Sequence, residues 1–362
     1  MSNKLEQARK IINEVDAEMA RLFVRRMKAA ELVAEYKMQH GLEIFDKERE
    51  DEVVRHNSLL VEDGELRPFY VNFIRDTMAI SRSYQDKLMS GMRVAYSGTV
   101  GAFAHIAAQK IFPTARKIAY GSFEEAYRAA LDGECDVCVL PTENSSGGEV
   151  GQVTDLMFSG SLYINGMYEL AVSHDLVGVK GAKPEDIKTV ISHSQALAQC
   201  REYIATHGFD CMEYANTALA AKHVADLCDK AVAAIASGEA AELFGLSVIE
   251  KNINESRSNT TRFAVFSRSE NRHVRDDMGV HTVLLFTVRN EAGALAKAID
   301  IIGKHGFNMR SLRSRPMKEL LWQYYFYVEA EGNIHTEAGR LMAEELAKYC
   351  DRLKIVGTYT KS

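Results

Sequence analysis

From Lys4 to His40 the apolar residues repeat at helical spacing. Leu5, Ile12, Met19 and Val33 share one seven-residue series, and Ala8, Val15, Leu22, Ala29 and Tyr36 fill the neighbouring row. This pattern predicts one long amphipathic helix. Unbroken, it would be on the order of 50 Å long at about 1.5 Å per residue. A lone domain of this size cannot cover such a helix, so it needs a partner, and an interlocked dimer is the simplest source. Gly41 stops it, a second helix starts at Asp46 and runs to about Leu60, and the break over Glu62–Pro68 precedes a third.

A chain of 362 residues suggests two or three domains, and its apolar fraction of 46% and charged fraction of 26% suit a globular protein. No segment approaches the roughly 20 apolar residues of a membrane span, and MSNKLEQARK has no apolar stretch behind its charges, so a cytosolic location is expected. The net charge of −6, with no basic block, argues against nucleic acid as a partner. Six scattered cysteines argue against a disulfide framework. Cys135 and Cys138 form a CxxC within ECDVCVLP, which reads as a buried strand with core thiols rather than a redox or metal pair. No metal and no cofactor is expected.

The organisation changes twice. From Met92 to about Arg268 strands alternate with helices, the order of an open α/β sheet. From about His281 the order is strand, helix, strand, strand, helix, strand: HTVLLFTVR, a helix, FNMRSLRSRP, LWQYYFYVEA, a helix and KIVGTYT. That is the βαββαβ order of a ferredoxin-like α+β unit. The polar stretch SENRHVRDDMG between the two regions reads as a linker.

In the first region, charges interrupt the apolar rows. Arg26 occupies a position of the Leu5 series where Leu or Ile would be expected, and Lys37 follows three turns later on nearly the same face. Burying an unpaired charge is costly, so an anion must lie close to them. Asp46 and Glu50 are four apart with Arg49 beside them, and Ser81 and Gln85 are likewise four apart. From pattern alone, either Asp46 and Glu50 neutralise Arg26 and Lys37 inside a bundle, or the cations await an anionic ligand. Arg9 lies about 100° around the helix from Arg26, so one helix cannot easily bring both to one pocket.

Arg9, Arg26, Lys37, Asp46, Arg49, Glu50, Ser81 and Gln85 together resemble the active-site set of the all-helical chorismate mutases, three-helix domains that form intertwined dimers. The resemblance implies that Arg9, Arg26 and Arg49 hold carboxylates, with Arg9 reaching the partner subunit's site. It implies that Lys37 and Gln85 bond the ether oxygen, and that Glu50 with Asp46 orients the ring hydroxyl. A Claisen rearrangement needs no acid, base or nucleophile. Fixed cations aimed at developing negative charge suffice to lower its barrier.

In the middle region GTVGAF follows a strand and precedes a helix. It lacks the spacing of a dinucleotide fingerprint, which argues against a nicotinamide dehydrogenase and leaves a Gly-lined turn whose helix N–H groups face an anion. PTENSSGG, SHSQALAQC and NTTRF each place hydroxyls, an amide or an Arg just past a strand, where open α/β sheets bind ligands. Singly, each is more often a capped turn.

In this order they resemble prephenate dehydratase over about residues 92–268. The resemblance implies two lobes like those of periplasmic binding proteins, about 92–171 with 246–270, and about 172–245. Prephenate would lie between them, with Thr261 beside the leaving hydroxyl. Glu143, Asn144, Ser145, Arg262 and Phe263 would shape the contacts, and Ser192 and His193 would support the cleft. Ala102 and Ala104 stand where the family often has hydroxyls.

The third region, 280–362, resembles an ACT domain. Gly293, Ala294 and Leu295 match its G-A-L turn, and Ser314, Arg315 and Pro316 match the end of E-S-R-P, with Arg313 at the acidic position. The resemblance implies phenylalanine bound at a dimer interface, lowering dehydratase activity. A purely structural dimerisation domain is the alternative.

The expected layout is therefore a helical domain over 1–88, a bilobal α/β domain over 92–270 and the C-terminal domain. The expected function is two consecutive steps of phenylalanine biosynthesis, chorismate to prephenate to phenylpyruvate. Competing readings are a dehydratase whose helices only dimerise, a non-enzymatic sensor with a binding-protein cleft, and a mutase fused to a dehydrogenase. Prephenate and arogenate, and dimer and tetramer, remain open on sequence alone.

Overall fold

A computed structural model of the chain describes residues 2–40, 42, 44–256, 258–272, 274, 279–317 and 323–360. The chain divides into two compact units, residues 1–93 and 94–362.

The first unit is three helices, α1 (Ser2–His40), α2 (Lys47–Ser58) and α3 (Arg67–Ser90). Asp46 caps α2 by accepting the Arg49 backbone N–H at 3.0 Å, and Glu48 and Glu50 favour the positive end of the helix dipole in its first turn. Pro68 stands in the first turn of α3, where its missing N–H costs nothing, and Gly91 at φ 74° ends the helix. Helix α3 packs against both α1 and α2.

The buried apolar residues of this unit are few: Ala30, Ala34 and Met78. The apolar rows of α1 lie open, with Leu5 and Ile12 each 56% exposed and Leu22 60%. So the anticipated helix forms, and among the described residues its N-terminal half lies exposed.

The second unit holds three sheets. The first contains β1 (Arg93–Ser97), β2 (Arg116–Tyr120), β3 (Val137–Asn144), β4 (Gly148–Glu149), β5 (Tyr163–Ala171) and β11 (Thr260–Ser267). Its order is β2-β1-β3-β11-β5 with β4 paired to β3. Helices α4 (Phe103–Ile111), α5 (Phe123–Leu131) and α6 (Gly151–Ser159) connect its strands. The second sheet has the order β10-β6-β9-β7-β8. Its strands are β6 (Asp175–Gly178), β7 (Thr189–Ser192), β8 (Asp210–Glu213), β9 (Val232–Ala236) and β10 (Ser247–Glu250), with α7 (Ser194–Gln199), α8 (Arg201–His207), α9 (Thr217–Leu227) and α10 (Gly238–Leu243).

The chain thus leaves the first sheet after β5, builds the second, and returns as β11, which pairs antiparallel with both β3 and β5. Two lobes with two crossings result. The second lobe extends through β10, so the expected boundary near residue 245 falls too early. Glu250 is its last paired residue. Cys135 and Cys138 are buried in the core of the first sheet, and burial raises the Cys138 thiol well above its ordinary value.

The third sheet, β13-β14-β12-β15, is fully antiparallel. It is built from β12 (Val280–Val288), α11 (Ala294–Lys304), β13 (Asn308–Pro316), β14 (Tyr324–Glu331), α12 (Glu337–Ala347) and β15 (Cys350–Thr360), the βαββαβ order. His273 and residues 275–278 of the expected linker, and Leu321 and Trp322 of the expected strand, lie outside the described residues.

This sheet is not a detached module. Val283, Leu285, Tyr325, Tyr327, Val356 and Tyr359 share one buried cluster with Leu140, Ile164 and Phe266 of the first sheet. Gly357 makes the approach possible, because a Cβ there would fall 2.1 Å from the Ile164 carbonyl oxygen. Among the described residues no helix is long and apolar enough to cross a membrane.

Candidate active sites

In the helical unit, Arg26 reaches from α1 to α3. Its Nη1 donates to the Thr77 carbonyl at 3.2 Å and to Ser81 Oγ. Among the described residues it pairs with no carboxylate, and burial lowers its pKa. Ser81 and Gln85 are buried one turn apart on α3, and Gln85 Oε1 has no hydrogen-bond partner among the described residues.

The internal neutralisation that the pattern allowed is not what forms. Glu50 pairs with Arg82 rather than with Arg26, Asp46 is taken up in capping α2, and Lys37 donates to the Ile44 carbonyl at 2.5 Å. Arg49 sits at the surface against Glu52. Arg9 is exposed on α1, seventeen residues or about 25 Å of helix before Arg26. One chain therefore assembles Arg26, Ser81 and Gln85 and leaves Arg9 outside. Arg82, the partner of Glu50, carried no signal in the apolar rows.

In the second unit a cavity of about 550 Å³ opens between the first and second sheets. Asn144, Thr261 and Phe263 line it from one side and His193, Asn216 and Thr217 from the other. Asn144 Nδ2 donates to Thr261 Oγ1 at 2.9 Å and to Asn259 Oδ1 at 2.9 Å. Its Oδ1 accepts the Ser146 and Gly147 backbone N–H groups at 3.0 and 2.8 Å, which fixes the amide in this orientation. Asn259 Nδ2 donates to Gln199 Oε1 at 3.0 Å, and His174 Nε2 lies 2.8 Å from the same oxygen. A chain of polar side chains thus crosses from one lobe to the other.

His174 is buried, which lowers its pKa and favours the neutral ring, and its Nδ1 has no partner among the described residues. His174, Gln199 and Asn259 were not singled out from the sequence. Gln199 and Asn259 lie inside the quoted motifs, whereas His174 has no motif around it. Helix α4 begins at this cavity with Ala102 offering no side-chain cap to its first N–H groups, and Gly98 and Gly101 at φ 96° and 87° form the turn before it. No Arg or Lys lines the cavity among the described residues.

Four expected contacts, those of Arg262, Glu143, Ser145 and Ser192, are corrected. Arg262 points away from the cavity, donating to both carboxylate oxygens of Glu329 on β14 at 2.9 and 2.8 Å. Glu143 joins it there and accepts from Arg313 at 2.5 Å. The reason is strand alternation: Thr261 and Phe263 share one face, so Arg262 between them takes the other. Ser145 does not line the space but ties the loop, donating to the Ser258 carbonyl at 3.0 Å and accepting the Thr260 N–H at 2.9 Å. Ser192 is fully buried and donates to the Ile235 carbonyl at 2.6 Å. His193 caps α7, its ring accepting the Gln195 N–H at 3.2 Å.

The expected effector residues fall in two places. Gly293, at φ 85°, precedes α11 with Ala294 as its first residue, and Leu295 lines a cavity of about 350 Å³ with Tyr324 and Phe326. Arg315, expected beside them, is held by Asp155 at 3.1 Å and Tyr325 at 3.1 Å. Pro316 lines a different cavity of about 590 Å³, and Ser314 is exposed.

Chorismate mutase type II matches residues 8–86 and prephenate dehydratase matches residues 94–271. A bifunctional chorismate mutase/prephenate dehydratase of Aquifex aeolicus (strain VF5) is 30% identical over 99% of this chain and 98% of its own length. Among solved structures, prephenate dehydratase from Arthrobacter aurescens in complex with L-Phe is 25% identical, with a TM-score of 0.69 over 75% of this chain and 90% of that one. GqqA, described as a novel type of quorum quenching acylase, is 31% identical with a TM-score of 0.69 over 75% of this chain and 98% of its own.

Proposed function

The chain belongs to the family of bifunctional chorismate mutase/prephenate dehydratases, and from that premise we propose that each of its two units carries one step. The helical unit rearranges chorismate to prephenate, and the α/β unit converts prephenate to phenylpyruvate. In the first step the half-buried Arg26, with only neutral partners among the described residues, is free to take a substrate carboxylate. Lys37 and Gln85 face the ether oxygen as charge gathers there, and Arg49, Asp46 and Glu50 complete the set. The bare rows of α1 support a second copy laid along it, which would also bring that copy's Arg9 to the site.

The observation that carries the second step is the orientation of Asn144. Its amide donates to Thr261 Oγ1, so the threonine proton is left to point at the leaving hydroxyl of prephenate. The C–C bond to the ring carboxylate breaks, releasing carbon dioxide, and its electron pair enters the ring. The C–O bond breaks, and the hydroxyl departs as water with a proton drawn ultimately from solvent. Aromatisation supplies the driving force, and the threonine stabilises the departing oxygen by a hydrogen bond rather than by full proton transfer.

A cavity whose polar lining is amides and hydroxyls, set among apolar side chains and without Arg or Lys among the described residues, suits this chemistry. A paired cation would stabilise the carboxylate that must be lost, whereas neutral dipoles hold the substrate without that ground-state penalty. Acyl transfer of the kind named for GqqA would need a base beside the nucleophile. Thr261 Oγ1 instead receives an N–H donor.

The C-terminal sheet reads as an ACT domain that binds phenylalanine between two copies, Gly293–Ala294–Leu295 from one and Ser314–Pro316 from its partner. The separation of those segments within one chain supports this. Feeding chorismate to the purified protein and following both products tests the assignment. Chorismate should pass to phenylpyruvate without an added enzyme and more slowly in saturating phenylalanine. Prephenate accumulating unconverted, or a rate indifferent to phenylalanine, would refute the corresponding part.

A further inference from the structure

The face of the catalytic strands that looks away from the cavity is gripped by the C-terminal sheet. We infer that Glu329 and Arg313 are positioning residues for the dehydratase step, holding Thr261 and Asn144 in register through Arg262 and Glu143. The inference rests on the reading of Thr261 given above.

Thr261 stands opposite Asn144 across the β11–β3 ladder, and Arg262 stands opposite Glu143. Immediately beyond, the register slips between Arg262 and Phe263, where the partner is Pro141. Proline donates nothing to a ladder, and a bulge re-aims the side chains beside it. Pairing to β3 is therefore interrupted beside the Thr261–Asn144 pair, while β11 stays in register with β5 on its other side.

Side chains supply the missing constraint. The Arg262 guanidinium engages Glu329 with two hydrogen bonds, and the Tyr359 hydroxyl donates to the same carboxylate at 2.6 Å. Glu329 is 2% exposed, so this directional, charge-assisted contact is not screened by water. Arg313 holds Glu143 by a single hydrogen bond at 2.5 Å in a half-buried setting, and Arg262 Nη1 lies 3.6 Å from Glu143 Oε2, joining both grips into one network. An acidic residue at position 313, as in the resembled motif, would repel Glu143. Here arginine turns that position into a strut on the strand that carries Asn144. Any movement of the C-terminal sheet is thereby transmitted to Thr261, which meets the leaving hydroxyl, and to Asn144, which orients it.

The test compares kcat and KM for prephenate in full-length Glu329→Gln, Arg313→Ala and the paired exchange Arg313→Glu with Glu143→Arg. Mutase activity of the same preparations reports an intact chain, and Thr261→Ala serves as reference. A displacement of a fraction of an ångström at the reacting groups should lower kcat about tenfold in Glu329→Gln, with KM near the parent value and mutase activity unchanged. Arg313→Ala should lower kcat less, and the exchange should restore more of it than Arg313→Glu alone retains. If Thr261→Ala abolishes turnover while folded Glu329→Gln and Arg313→Ala both keep the parent kcat, or change only KM, the inference is wrong and the site reading survives. Should Glu329→Gln fail to fold, Arg313→Ala and the exchange decide by the same criterion. If Thr261→Ala keeps full dehydratase activity, the site reading itself fails.

Discussion

The two units handle anionic substrates by opposite means. The helical unit sets a full cation, Arg26, into an apolar row and gives it only a hydroxyl and a carbonyl as company. The α/β unit lines its cavity with amides and hydroxyls among apolar side chains, without Arg or Lys among the described residues. The difference follows from the chemistry. The rearrangement gathers negative charge on an ether oxygen and gains from every nearby cation. The dehydratase must release a carboxylate and gains from not holding it too well.

The sharpest way to break this comparison is to remove one residue from each site. Arg26→Ala should lower chorismate turnover on the order of a hundredfold, and Thr261→Ala should do the same to prephenate turnover. Each variant should leave the other rate within about twofold, because the two groups act in separate transition states. Coupled assays on the folded variants check this, and joint loss would contradict separate sites.

A smaller effect is expected from Leu22→Glu, which places a charge on the uncovered row of α1. Mutase activity should fall about tenfold and become steeper in protein concentration, since a site completed by a second copy depends on association. Sedimentation beside the two assays would show it. A monomer with full mutase activity would sink the proposal that Arg9 is shared.

Salt should separate the sites more gently. Raising ionic strength from about 0.05 to about 0.5 M should raise KM for chorismate about threefold and that for prephenate much less, because screening acts on charges more than on dipoles. Equal shifts would mean that a cation serves the second cavity after all.

The smallest effect concerns pH and the second unit alone. His174 is held neutral by burial, its pKa lowered from 6.5. As pH falls through 6.5 the unfolded chain takes up a proton that the folded chain resists, so stability falls until the lowered folded value is reached. Below pH 6.5 the melting temperature of the second unit should drop by a few degrees, and less in His174→Gln. A pH-independent melt would show that burial of His174 contributes nothing.

Much of the first site was legible because it violates a pattern. An arginine in a seven-residue apolar series is conspicuous, and its neighbours on α3 follow at helical spacing. Arg82 was not legible, since a charge on an otherwise polar face breaks no rule. In the second unit Asn144, Thr261, Phe263 and His193 were readable as small motifs after strands, and all four line the cavity. Glu143 and Arg262 were read too literally. Adjacent residues of a strand face opposite ways, so the sequence already held the signal that Thr261 and Arg262 could not both enter one cleft. His174 left no such signal, because its place beside Gln199 depends on the chain crossing between lobes and returning.

By itself, then, the order of residues settled what is periodic or local: the long helix and its misplaced cation, the alternation of strands and helices, and the glycine turn before α4. These depend on contacts a few residues apart, which spacing encodes directly. Only the folded chain decided which face of β11 meets the cavity, that the C-terminal sheet shares a core with the first lobe, and that Arg313 pairs with Glu143. Those contacts join residues far apart in the chain, Glu143 and Arg313 being separated by 170 positions, and no local pattern carries their partners.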